Sequence, residues 1–140
     1  MPDPMARYEP FIGVWNTHGQ VLAFEESPAT IMTATDTYRW GPGRAFIIHD
    51  VDARFGGEPT RSFEVMGYEP ARKRYMTRSY DDQGLTEDFR IALVGKRWTI
   101  TGKTVRFDGA FDRTGNKLTG LWERKARRWQ PWIELELVRA

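Results

Sequence analysis

Two side chains between residues 31 and 55 have the types and spacing to do chemistry together: Asp36 and His49. The apolar positions Met32, Ala34, Tyr38 and Trp40 share one strand face, and Ala45, Ile47, Val51, Ala53 and Phe55 share another. The two sets meet on one face if the loop is the four residues Gly41-Pro42-Gly43-Arg44. Trp40 then pairs with Ala45, Tyr38 with Ile47 and Asp36 with His49, so a carboxylate and an imidazole share an otherwise apolar face. Such a carboxylate orients the ring and supports its charged form, which makes a general base or a group that grips a ligand. The same pair can simply satisfy itself in a core. The other face carries Thr33, Thr35, Thr37 and Arg39 beside Asp50, Asp52 and Arg54, and reads as solvent, with Phe46 and Ile48 as apolar exceptions.

The remaining chemistry is sparser. His18 is the only other histidine and has opposite parity to Trp15, which places it outside. Two histidines on separate strands with no third ligand by spacing give no metal site. Arg124, Lys125, Arg127 and Arg128 crowd one turn next to Trp129. Basic groups beside an aromatic can grip phosphate and stack a base, but a solvated hairpin tip has the same composition. Arg72-Lys73-Arg74 is a similar turn. No Gly-x-Ser-x-Gly is present, and the chain has no cysteine, so nucleophilic hydrolysis lacks its usual parts. The glycine pairs sit at hairpin turns and do not open helices, so no phosphate-binding loop is indicated.

The elements that must hold Asp36 and His49 are strands. Turn signals recur at Glu26-Ser27-Pro28, Gly41-Pro42-Gly43, Gly56-Gly57-Glu58-Pro59, Glu69-Pro70-Ala71, Asp81-Asp82-Gln83-Gly84, Gly95-Lys96, Gly102-Lys103 and Asp112-Arg113-Thr114-Gly115-Asn116. The segments between are short and rich in Thr, Val, Ile and aromatics, the spacing of an all-β fold. Period-two alternation is plain in residues 104–111 and in 132–139, where Ile133, Leu135 and Leu137 share one face and Glu134 and Glu136 the other. The boundaries predict about ten strands: 13–23, 31–40, 45–55, 60–68, 74–80, 85–94, 96–102, 104–111, 117–124 and 131–139. Only residues 4–11 have the makings of a helical turn. Short links imply antiparallel neighbours, and a twisted meander of this size closes into an up-and-down barrel that removes its edges.

The 140 residues fit one domain, 1–140. A net charge of +2 gives no concentrated basic face, so no nucleic-acid partner is expected. No apolar run approaches the roughly 20 residues of a membrane span. The first seven residues lack an apolar core, so no secretory signal is read and the cytoplasm is the expected location. Aromatic residues reach 14%, an excess that needs an interior. Tyr38, Trp40, Phe89, Trp98, Phe107 and Trp122 fall on the faces that point inward. They can fill the barrel or wall a cavity with a few polar groups, which is how small-molecule pockets are built.

Gly13-Val14-Trp15 resembles the Gly-x-Trp feature of the calycin superfamily, the lipocalins, fatty-acid-binding proteins and relatives. The resemblance implies that the Trp plugs one barrel end under a late-strand Arg, here Arg139 or alternatively Arg124. More of the chain resembles a family of lipocalin-like bacterial proteins of unknown function. The matching stretches are Gly43-Arg44-Ala45-Phe46, Gly56-Gly57-Glu58-Pro59, Gly67-Tyr68-Glu69-Pro70 with Tyr75, Tyr80-Asp81-Asp82-Gln83-Gly84 and Gly120-Leu121-Trp122-Glu123-Arg124. That resemblance implies a barrel with a cavity for a small, mostly apolar molecule, and brings no established activity. Haem-binding barrels similar to nitrobindin use a late histidine, and none follows His49 here, so no cofactor is expected.

These readings converge on a barrel that binds a small hydrophobic or amphipathic ligand. Asp36, Tyr38 and His49 would orient it, with Trp40, Phe89, Trp98, Phe107 and Trp122 as apolar lining. Glu64, Met66 and Tyr68 join them if the strand after Gly56-Gly57 has one register, whereas Phe63 and Val65 face inward in the other. An alternative is an isomerase- or cyclase-type enzyme in which His49, kept basic by Asp36, moves a proton in the same cavity. A third is an interaction module that forms a homodimer through an outer patch with Phe46 and Ile48.

Overall fold

A computed structural model describes residues 3–140. Ten strands follow one another: β1 (Gly13–Val21), β2 (Thr30–Trp40), β3 (Ile47–Phe55), β4 (Glu58–Glu69), β5 (Arg74–Asp81), β6 (Thr86–Val94), β7 (Arg97–Thr101), β8 (Val105–Phe111), β9 (Lys117–Lys125) and β10 (Trp129–Arg139). Each pairs antiparallel with its sequence neighbour, and β1 pairs with β10 to close the barrel. Closure leaves no exposed edge, and alternation sends every second side chain inward. In β7, Trp98 and Ile100 are buried between exposed Arg97 and Thr101. No helix among the described residues is long and apolar enough to cross a membrane.

Turn chemistry sets the registers. Phe55 pairs with Glu58, so Gly56-Gly57 is a two-residue hairpin loop with φ of 58° and 88°. Both residues lie in the left-handed region, where any other residue would be strained. This register turns Glu64 and Met66 toward the interior and leaves Phe63 exposed. The loop after β2 departs from the sequence expectation. Trp40 pairs with Ile47, Tyr38 with His49 and Asp36 with Val51. The loop is therefore two residues longer than its glycines suggest, because Pro42–Arg44 winds into a 3-10 turn and Gly41 N–H closes onto the Phe46 carbonyl at 2.8 Å. Ala45 and Phe46 precede the strand instead of opening it. A shift of two residues conserves parity, so Asp36 and His49 still share the inner face.

The N-terminal segment closes one barrel end. Ala6–Phe11 forms a 3-10 helix that sinks Tyr8 and Phe11 into the core beside Met5 and Trp15. The Phe11 ring meets Trp98 at 4.7 Å, Phe111 at 5.0 Å and Tyr38 at 5.2 Å between centroids. Trp15 donates its indole N–H to the Phe11 carbonyl at 2.9 Å. Arg139, rather than Arg124, lies over the Trp15 ring at 4.2 Å. Its guanidinium donates to the carbonyls of Ile12 at 2.8 Å and Pro10 at 2.5 Å. Arg124 instead lies over Phe24, 4.2 Å from its ring centre.

Candidate functional site

Above this plug the barrel keeps a cavity of about 250 Å3. Its wall is made where strand parity and small residues allow. Gly109 of β8 pairs with Gly120 of β9, and a Cβ on Gly120 would sit 2.3 Å from the Phe107 ring. The glycine pair therefore lets Phe107 lie flat across two strands, next to Trp122 at 5.3 Å. Val51, Ser62, Ser79, Trp122 and Leu135 line the cavity and are only half-buried, so solvent reaches it from the end opposite the plug.

The polar centre is built across four strands. His49 on β3 stands directly opposite Tyr38 on β2 and Glu64 on β4. Its Nδ1 lies 2.7 Å from Glu64 Oε1 and its Nε2 2.6 Å from Asp36 Oδ1, reached diagonally. Tyr38 stacks on the imidazole at 3.9 Å with an interplanar angle of 11°. Thr17 on β1 donates its hydroxyl to Asp36 Oδ2. Side-chain exposure rises from 8% at Asp36 through 10% at His49 to 18% at Glu64, so Glu64 is the member that solvent reaches most easily.

Electrostatics follow from this geometry. Burial pushes the His49 pKa down, but hydrogen bonds to Asp36 and Glu64, and their charges, outweigh it and lift the pKa to about 9. Both ring nitrogens donate to carboxylates only when the ring is protonated, so at neutral pH His49 is an imidazolium between two acids. Burial holds the Tyr38 hydroxyl well above its ordinary pKa, and Asp36 and Glu64 add to the effect. That hydroxyl therefore remains a donor. Thr77 on β5 also lines the cavity, and its hydroxyl is buried without a partner.

The structure brings together around the cavity Asp36, Tyr38, His49, Glu64 and Met66, with Phe89, Trp98, Phe107 and Trp122. Trp40 and Tyr68 are not part of the lining. They have inward parity but lie toward the closed end, where Arg44 covers the Trp40 ring at 4.4 Å and Tyr68 packs on Tyr75 at 4.9 Å. Sequence reasoning overlooked Thr17, Thr77, Ser62 and Ser79, which also line the cavity. For Thr17 the signal was available, since it lies two residues after Trp15. His18 is exposed on the outer face. Among the described residues, no group of three or more His, Cys, Asp or Glu is arranged to hold a metal ion. Phe46 lies across Gly67, close enough that a Cβ there would meet its ring at 2.8 Å, and remains 46% exposed.

A model of the family described as "Protein of unknown function (DUF1579)" matches residues 6–127. No curated protein matches the sequence. The crystal structure of Rv2717c from M. tuberculosis is similar, with a TM-score of 0.72, 15% identity and 98% of each chain covered. A de novo designed fluorescence-activating β-barrel is similar at a TM-score of 0.51 and 13% identity, with both chains fully covered. At these identities the likenesses establish the barrel fold alone.

Proposed function

The chain belongs to the DUF1579 family of proteins of unknown function, and from that premise we propose that it binds a small amphipathic ligand inside its barrel. The observation that carries this reading is a cavity of about 250 Å3 with aromatic walls, a closed floor and one polar cluster. That volume lies just below the range of drug-sized ligand pockets, roughly 300 to 1,000 Å3, so the ligand must be small. A ring-sized apolar body buries about 150–250 Å2. At about 25 cal/mol per Å2 this contributes roughly 4–6 kcal/mol, which before the losses of association is millimolar to tens of micromolar affinity. The apolar wall therefore gives modest binding, and the polar cluster decides which ligand is held and how it points. Calycin-like transport or storage of such a molecule agrees with this architecture.

The geometry speaks less for the proton-transfer alternative. A general base needs a free lone pair and a pKa near the working pH. His49 has both nitrogens engaged and a pKa lifted to about 9.

Native mass spectrometry of freshly purified protein, with solvent extraction, tests the ligand reading directly. The expected result is a co-purifying small molecule, or enhanced fluorescence of the neutral dye N-phenyl-1-naphthylamine that Leu118→Trp, which fills the cavity, abolishes. Failure of both extraction and dye binding removes the reading.

A further inference from the structure

The cavity has a pronounced charge asymmetry. The chain carries 21 Lys and Arg residues, yet none of them lines the cavity. Among the described residues the sole cationic group there is His49, and both of its N–H groups are committed to Asp36 and Glu64. An anionic ligand would find no free charged donor. Two carboxylates around one imidazolium leave a net charge of −1 inside an apolar wall, and buried charge is unfavourable unless paired.

Acceptor capacity is left over. Asp36 is used on both oxygens, by His49 and Thr17. Glu64 gives Oε1 to His49, which leaves Oε2 available to a ligand. Glu64 pairs directly with Ser79, and Thr77 lies two residues along on the same face of β5. Thr77 is 2% exposed and its buried hydroxyl has no partner. Aromatic rings at Trp98, Phe107 and Trp122 complete the lining. Ring faces attract cations and repel anions.

Resting on the reading that this cavity is a ligand site, we propose that its ligand is a small organic monocation: a protonated amine on an apolar or aromatic body, with the ammonium at Glu64 Oε2 and the body against Phe107 and Trp122. The site thereby discriminates against carboxylates of the same size and shape. It does so without a repelling side chain placed for that purpose, because the orienting cluster itself carries the sign.

Three probes of one shape test this: 2-phenylethylamine, 2-phenylethanol and phenylacetate, titrated calorimetrically into the intact protein and by displacement of N-phenyl-1-naphthylamine. The expected order is amine at least tenfold tighter than alcohol, with phenylacetate weakest. Glu64→Gln should bring the amine to the level of the alcohol. Alcohol or carboxylate binding as tightly as amine, with the dye still bound, overturns the cationic assignment and leaves the ligand site standing. An amine preference that survives Glu64→Gln overturns it too. If neither the dye nor any of the three probes binds to protein whose solvent extract is also empty, both the assignment and the ligand site fall. Should Glu64→Gln not fold, the wild-type series alone decides the order.

Discussion

The closed end and the middle of this barrel are made of the same alternating strands but solve opposite problems. At the closed end Met5, Tyr8, Phe11 and Trp15 are each at most 1% exposed, and the three rings interlock with Trp98, Phe111 and Tyr38. One charged group there, Arg139, covers the Trp15 ring and satisfies carbonyls of the segment that forms the plug. One strand pairing away, Asp36 sits directly opposite Trp15 and begins a cluster of ionisable groups beside a cavity. Burying apolar rings is favourable in proportion to area. Burying ion pairs stabilises little and often less than apolar packing of equal volume. The closed end is thus where the fold gains its stability, and the middle gives up apolar packing for a buried ionisable cluster beside a cavity.

The largest test of that division is Trp15→Ala. Removing a fully buried indole from a close-packed plug should cost about 4 kcal/mol. At about 3 °C per kcal/mol, Tm should fall by roughly 12 °C. Chemical denaturation and a thermal scan check it, and a loss below about 1 kcal/mol would mean that the plug contributes no more than an ordinary surface contact.

The second test concerns the middle and its pH dependence. His49 has a pKa of about 9 when folded against an unfolded value of 6.5. A raised folded pKa stabilises fully below about 6.5, where both states are protonated. Between 6.5 and 9 the unfolded ring loses its proton first, and the stabilisation fades until it is gone above 9. The whole effect is on the order of 3 kcal/mol. Unfolding free energies at pH 6 and pH 9.5 should differ accordingly in the wild type. In the Asp36→Asn/Glu64→Gln double variant, whose ring has lost both carboxylates, the difference should shrink to a fraction of that. Equal slopes in the two proteins would show that the carboxylates do not hold the proton on His49.

How much of this was legible in the sequence differs between the two regions for a physical reason. Turn residues and period-two patterning locate all ten strands to within a few residues. They place Asp36 and His49 on one face even though their direct partners are Val51 and Tyr38, because an even slip conserves parity. Glu64 could not be placed beforehand, since the turn at Gly56-Gly57 admits registers one residue apart. Parity also says nothing of height along the barrel, which is why Trp40 and Tyr68 point inward yet miss the cavity. The plug is least legible. Its residues 6–11 carry a weak helical signal, and what sinks them is the complementary shape of rings from β2, β7 and β8. Arg139 over Trp15 was suggested by resemblance to other barrels, with the inward parity of Ile133, Leu135 and Leu137 pointing to that position.

The smallest expected effect sharpens the comparison most, because it asks whether the two regions are independent. Arg139→Lys keeps the charge and much of the stem but loses the planar fork that reaches Ile12 and Pro10 together. The loss should be about 1–2 kcal/mol, since a hydrogen bond contributes about 1 kcal/mol and an exposed cation–π contact about 0.5–1. Its signature is local: amides of the 3-10 helix and its cap, Tyr8 and Ile12 among them, should exchange faster while the strands of the far end keep their protection. The difference in stability between pH 6 and pH 9.5 should stay as in the wild type, because Arg139 makes no bond to His49, Asp36 or Glu64 and distant sites act additively. A changed pH difference would show that the plug transmits strain through Trp15 to its cross-strand neighbour Asp36. The closed end would then be coupled to the ionisable cluster and not only the floor of its cavity.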